Sequence, residues 1–159
     1  MTVVSADKDT ANLTLTVVSE LEAGIERVWR VFADPRTLER WWGPPTWPST
    51  FTRHEVTPGG SSRYYMTGPE GQRAYGWWST ISVDEPYRLE VDDGFAGEDG
   101  EPLPDEEPMR MVITLEAIGA STRLRIVTTF ASKEQLAKVT EMGMEEGMTS
   151  AVNQIDALL

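Results

Sequence analysis

Residues 25–44 read IERVWRVFADPRTLERWWGP. Ile25, Val28, Trp29 and Phe32 fall at i, i+3, i+4 and i+7, the spacing that puts apolar side chains on one face of a short helix. Asp34-Pro35 breaks that period, because proline cannot continue a helix begun before it. Leu38, Trp41 and Trp42 then define a second short helix, which must stop before Gly43-Pro44-Pro45. Two tryptophans back to back cannot share one direction. One is expected in the core, and the other, Trp42, at the mouth of a cavity.

On the N-terminal side the period changes to two. Leu13, Leu15 and Val17 alternate with Asn12, Thr14 and Thr16, which reads as a half-buried strand. Residues 1–10 read as a polar tail, and residues 11–159 as one domain. A chain of 159 residues buries roughly 70% of its unfolded surface, enough for a sizeable core.

On the C-terminal side the pattern is strand-rich. Phe51–Val56 leads into the turn Pro58-Gly59-Gly60, followed by Ser62–Thr67 and a second turn, Gly68-Pro69-Glu70-Gly71. Arg73–Val83 and Tyr87–Val91 are further strands around Asp84-Glu85-Pro86. Residues 92–108, acidic and without periodicity, read as a long loop. Met109, Met111, Ile113 and Leu115 then alternate, as do Leu124, Ile126 and Phe130 across the Gly119-Ala120 turn, so this pair is a hairpin. From Ser132 to Leu159 the pattern is helical, opened by a Ser132/Gln135 capping box, with Leu136, Val139, Gly143, Gly147, Ala151 and Ile155 on one face. Strand, two short helices, about six antiparallel strands and one long helix make an α+β layer architecture.

Charge and composition exclude several functions. The 26 acidic and 14 basic side chains give a formal charge of -12, and nine of the acids lie between Glu90 and Glu107 with no base among them. Elsewhere 17 acids face 14 bases. Repulsion from phosphates argues against nucleic acid and against an anionic membrane surface. With no cysteine, the chain has no disulfide, thiolate nucleophile or thiolate-held metal. The start, MTVVSADKDTANL, carries no signal-peptide pattern, and no apolar run reaches the roughly 18 residues of a membrane span, so the expected location is the cytoplasm without membrane insertion.

Catalytic motifs are equally sparse. Gly59-Gly60-Ser61-Ser62-Arg63 is no nucleophile elbow, and the glycines precede a strand, where a phosphate-binding loop needs a helix. Neither HExxH nor a Rossmann fingerprint occurs, and the acidic segment lacks the spacing of a calcium loop. No catalytic residue, metal or cofactor is assigned. His54 is the single histidine, so any imidazole chemistry rests on it; a rim position on the sheet is the plainer reading.

Three passages together resemble a known family: the helix pair 25–44, residues 57–91 (TPGGSSRYYMTGPEGQRAYGWWSTISVDEPYRLEV) and the terminal helix from near Met142. They are similar to the Hsp90 ATPase activator homologue (AHSA1-like) group of the START-like, or polyketide cyclase (SRPBCC), superfamily, over about Leu13 to Leu159. The resemblance implies a helix-grip fold, in which a curved antiparallel sheet wraps the long C-terminal helix. Two short helices lie between its first and second strands. It also implies a hydrophobic cavity opening near the short helices and loops. Homodimers and stress-associated roles are expectations at family level only.

Candidate cavity residues follow from parity on the strands. On Arg73–Val83, Tyr75, Trp77, Ile81 and Val83 share a side, opposite Ala74, Gly76, Trp78 and Thr80. Tyr75, Trp77 and Ile81 are therefore expected on the inner wall and Trp78 outside. Tyr64 sits on a strand whose register is open, since Tyr65 opposes it. Met109, Met111, Ile113 and Phe130 should face the helix; Met144 and Met148 come from that helix. Trp42, His54 and Arg73 complete the set. Phenol and indole groups in such a chamber would orient an apolar or aromatic ligand. The leading expectation is a carrier of a small hydrophobic molecule. A cyclase-like enzyme, marked by an internal group of shifted pKa, and an interaction module with a solid core are the alternatives.

Overall fold

The computed structural model describes residues 3–159. The eight strands are β1 (Val3–Asp9), β2 (Thr14–Leu21), β3 (Ser49–His54), β4 (Ser61–Thr67), β5 (Arg73–Asp84), β6 (Arg88–Ala96), β7 (Met109–Ile118) and β8 (Ser121–Thr129). They form one antiparallel sheet in the order β1-β2-β8-β7-β6-β5-β4-β3. Helices α1 (Ile25–Ala33) and α2 (Pro35–Leu38) join β2 to β3, and α3 (Lys133–Glu141), α4 (Met144–Val152) and a 3-10 turn (Ile155–Leu158) close the chain. This is the helix-grip arrangement.

The helix pair forms as its residues dictate. Val28, Trp29, Val31 and Phe32 are buried on α1. Asp34 then caps α2, its carboxylate accepting from the Arg36 N–H (3.0 Å) and the Thr37 hydroxyl (3.0 Å), with Pro35 in the first turn where a missing N–H costs nothing. Past α2 both Trp41 and Trp42 are buried, contrary to the expected division of the pair, because the chain turns and the rings meet edge to face at 5.6 Å. Gly43 (φ 105°) makes this turn possible, since a Cβ there would meet the Trp47 carbonyl at 2.5 Å. Gln154 donates to the Gly43 carbonyl (2.8 Å) and thereby fastens the C-terminal segment to the turn.

Three further sequence expectations change within the chain's elements. Residues 3–9, read as tail, form β1 and pair with β2; Met1 and Thr2 lie outside the described residues. Their polar composition hid a strand at the sheet edge, where water satisfies one side. The single terminal helix is broken at Gly143, whose φ of 83° ends α3 and starts α4. At its start Ser132 does cap Gln135 N–H, but the glutamine reaches the Ala131 N–H (2.7 Å) and donates to the Glu107 carbonyl (2.5 Å).

The third change concerns the acidic segment. β6 runs to Ala96, so Glu90, Asp92 and Asp93 are strand residues and the loop begins at Gly97. On the outer face Glu90 pairs with Arg88 (2.9 Å) and Arg110 (2.5 Å), and Asp92 with Arg110 (2.5 Å). Asp93 points inward and is buried. Parity accounts for this, because Leu89, Val91 and Asp93 fall on one face of a strand continued past Val91.

The main core joins α1 and the Trp41-Trp42 turn to the inner faces of β2 and β5–β8. A second cluster, Leu15, Met109, Phe130, Leu136 and Val139, lies under α3. α1 packs on β7 and β8, and α4 on β1 and β2. No helix among the described residues is long and apolar enough to cross a membrane.

Candidate functional site

The inner face of β5 is the reverse of the one expected. Trp78 is fully buried, with Gly76 and Thr80 beside it, whereas Trp77 is half-buried on the outer face and Ile81 is 40% exposed. The larger side chains were on the losing side. The inner face needs small residues at two points. A Cβ on Gly76 would lie 2.4 Å from the Tyr64 hydroxyl, and Thr80 donates to the Glu55 carbonyl (2.9 Å) while its backbone stitches Gly59 and Gly60 of the turn before β4. Ile81 continues the outward parity of Trp77 and Ser79, and the register shift between Thr80 and Ser82 brings Val83 back to the core. Trp77 instead covers Gly94 on the neighbouring strand, its Nε1 2.9 Å from where a Cβ would stand.

With this register, one row of inward residues crosses five strands: His54, Ser62, Trp78, Asp93 and Met109. The adjacent row is Phe51, Tyr64, Gly76 and Phe95. Trp42 descends from the α2 turn onto both rows, edge-on to Trp78 (5.0 Å) and to Tyr64 (6.2 Å). Phe51 stacks on Tyr64 at 4.8 Å. Aromatic rings thus fill the space under the turn.

His54 is a tie between layers. Its Nε2 donates to the Phe32 carbonyl at 2.7 Å, and its Nδ1 accepts from the Ser62 hydroxyl at 2.8 Å when the ring is neutral. Burial lowers its pKa, partly countered by the Phe32 carbonyl and the Asp34 charge. Both ring nitrogens are therefore engaged in holding α1 to β3 and β4. His54→Ala is expected to cost about 2–3 kcal/mol, because two partly buried groups lose their partner. Urea unfolding checks this; a change below about 0.5 kcal/mol would contradict the tie.

Asp93 is the unusual group. Its side chain is 6% exposed, its Oδ1 has no hydrogen-bond partner, and burial, reinforced by the Asp92 charge, pushes its pKa up to about 7. Tyr64 responds: burial, with Asp93 beside it, raises the phenol well above its ordinary value. The Trp42 N–H offsets this slightly without reaching hydrogen-bond geometry, and the Nε1 atoms of Trp42, Trp78 and Trp29 all lack partners. Gly76→Val is expected to force Tyr64 out of this cluster at about 1–3 kcal/mol, read as lost near-ultraviolet aromatic signal. Unchanged aromatic signal would contradict the packing.

A cleft of 620 Å³ opens at the ends of β5 and β6. Tyr75, Ala74, Phe95 and Ala96 line it from the strands, Lys138 and Met142 from α3, and Gly97, Glu98, Leu103 and Glu106 from the acidic loop. Arg73 stands at its rim, its guanidinium 4.1 Å above the Tyr65 ring. The loop is fastened over one side by the Lys138–Glu106 ion pair and the Gln135–Glu107 bond. Phe95 joins the cleft to the buried rows, since it lies two residues from Asp93 on the same face.

The structure therefore gathers some of the expected residues and separates others. Arg73 and Tyr75 both line the cleft, but Tyr75 lies on the outer side of β5 beside Tyr65 (ring centroids 5.8 Å), not on the inner wall expected for it. Trp42, His54 and Tyr64 meet around Trp78. Met109, Met111 and Ile113 are buried on β7, and Phe130 and Met144 belong to the cluster under α3. Met148 is half-buried against the main core. Trp77 and Ile81 take no part. Sequence reading missed Trp78, Asp93, Phe95, Lys138 and Met142. Among the described residues, no three His, Asp or Glu side chains converge as metal ligands.

A solution structure of an Arthrobacter aurescens protein is 52% identical, with TM-score 0.94 over 99% of this chain and 91% of that one. A Mycobacterium smegmatis crystal structure is 44% identical, with TM-score 0.91 over 99% and 96%. An AHSA1 protein from Silicibacter pomeroyi shares the fold at 21% identity, with TM-score 0.74 over 91% and 95%. No curated protein matches the chain. The family model described as Activator of Hsp90 ATPase homolog 1-like protein matches residues 22–159, so with the helix-grip fold beneath that match the chain belongs to this AHSA1-like family.

Proposed function

We propose that the protein binds a small, largely aromatic molecule, which enters through the cleft at Tyr75, Phe95 and Met142. The observation that carries this reading is the cleft itself. Its 620 Å³ falls within the range of about 300–1,000 Å³ typical of small-molecule sites, and apolar walls alternate with a few polar groups, Arg73, Lys138 and Glu98. Tyr64, Met144 and Met148 are half-buried and packed against the hydrophobic clusters rather than in the cleft. Methionine thioethers adapt to varied shapes at little cost. The AHSA1-like resemblance also points toward the small-ligand carriers of its superfamily.

One observation favours a second reading. Asp93, an internal carboxyl with a pKa near 7, is suited to moving a proton, as a cyclase-like enzyme would require. Native mass spectrometry of protein purified gently from its host, against a denatured control, tests the binding reading. A reproducible mass increment lost on denaturation is expected; its absence in repeated preparations would count against a resident ligand.

A further inference from the structure

Two cations line the cleft at the ends of β5 and β6, and the chain treats them differently. Lys138 is ion-paired with Glu106 of the acidic loop, so its charge is answered from within the protein. Arg73 has no ion pair and no side-chain hydrogen bond among the described residues; its guanidinium lies 4.1 Å above the Tyr65 ring. Tyr65 is in turn paired with Tyr75 across β4 and β5, with ring centroids 5.8 Å apart. Arg73 and the two tyrosines thus make one ordered ledge, and Arg73 and Tyr75 carry it into the cleft. A ring that covers the flat face of a guanidinium leaves its in-plane N–H groups uncovered, and these form a fork that matches the oxygens of a carboxylate. The head is held in place before an anion arrives, which lowers the ordering cost of binding one. Glu98 lines the cleft with the opposite charge, but it is exposed on the loop and nothing among the described residues fixes its side chain.

We infer that the cleft selects an aromatic carboxylate, its acid group held by the Arg73 guanidinium and its ring against Tyr75, Phe95 and Met142. This rests on the binding function proposed above and deepens it by naming the ligand class. The net charge of -12 repels an anion from the molecule as a whole, so the attraction at Arg73 acts locally, by direct contact and within a Debye length of about 10 Å at 0.1 M salt.

The test uses probes that share a naphthalene ring and differ in charge: 2-naphthoate, 2-methylnaphthalene and 2-naphthylmethylammonium. Each is titrated into the full chain at low salt and followed through the backbone amides of Tyr75, Phe95 and Met142. 2-Naphthoate is expected to bind about fivefold tighter than the neutral probe, and it alone should move the Arg73 Nε–H resonance. Arg73→Gln should abolish this preference and Arg73→Lys should keep part of it. Arg63→Gln removes the same charge from a β4 residue that does not line the cleft, and should leave the preference intact. Salt raised to about 0.5 M should shrink the preference in the unmodified chain, a result that needs no variant. Equal affinity for the probes, or a preference that survives Arg73→Gln, would overturn the selection while leaving the cleft as a binding site. Tighter binding of the ammonium probe would also overturn it and assign charge selection to the acidic loop. If no probe binds, the selection and the binding function fall together.

Discussion

Trp78→Ala is expected to lower the unfolding free energy by about 3–5 kcal/mol, whereas the same change at its neighbour Trp77 should cost about 1 kcal/mol. Trp78 is fully buried and meets Trp42, Phe51 and His54 edge to face, at 5.0, 5.8 and 5.6 Å. Removing the indole leaves a cavity that Gly76 and Thr80 are too small to refill. Trp77 lies over Gly94 on the outer face, where water can replace it. For a chain of this size the first loss lowers the melting temperature by roughly 10 °C or more, and the second by a few degrees. Scanning calorimetry of the two variants decides the orientation of β5. Equal losses, or a greater loss at Trp77, would contradict it.

Asp93→Asn is expected to stabilise the protein at pH 8 and to flatten its pH dependence. In the folded chain Asp93 holds its proton up to about pH 7, against 3.8 for the ordinary carboxyl, because burial and then the Asp92 charge disfavour ionisation. Native protein therefore binds this proton more tightly than unfolded chain. Below about pH 4 both states hold it and its stabilising contribution is complete. Between pH 4 and 7 the unfolded chain releases it first and stability falls; above pH 7 both states are ionised and the decline ends. The whole interval corresponds to about 4 kcal/mol. Asparagine cannot ionise, and its amide adds its own desolvation, so the net gain at pH 8 should be about 2–3 kcal/mol. Melting temperatures of both proteins from pH 4 to 8 test this. Parallel curves would show that Asp93 ionises freely in the fold.

Much of the fold is legible in residues that obey one local rule. The 3.6 period of Val28, Trp29 and Phe32, the Asp34-Pro35 cap and the alternation on β7 and β8 each needed only near neighbours. The misread elements depend on distant ones. β1 is polar because it lies at an edge, and its pairing with β2 leaves no mark in its own composition. Gly143 fits the face of one continuous helix by its spacing, yet its backbone conformation makes two.

The site was harder to read for the same reason. Counting large residues on β5 favours the side of Tyr75, Trp77 and Ile81. The inner side is decided by Tyr64, which requires Gly76 opposite it, and the bulge at Ile81 then returns Val83 to the core. Asp93 is one of a run of nine acids, whose shared charge masks the parity of this one residue. The Leu89-Val91-Asp93 alternation was the available signal. The run of nine acids thus divides into paired acids on β6, one buried carboxyl and an acidic loop beside the cleft.

The central claim is that a small aromatic molecule binds in the cleft lined by Tyr75, Phe95 and Met142. Its most direct test is a heteronuclear NMR titration of the full chain with 2-naphthol, mapping every backbone amide and indole N–H. Saturable shifts are expected at the backbone amides of Tyr75, Phe95 and Met142. Shifts confined to Trp77 and Ile81, or no saturable shifts at all, would contradict it.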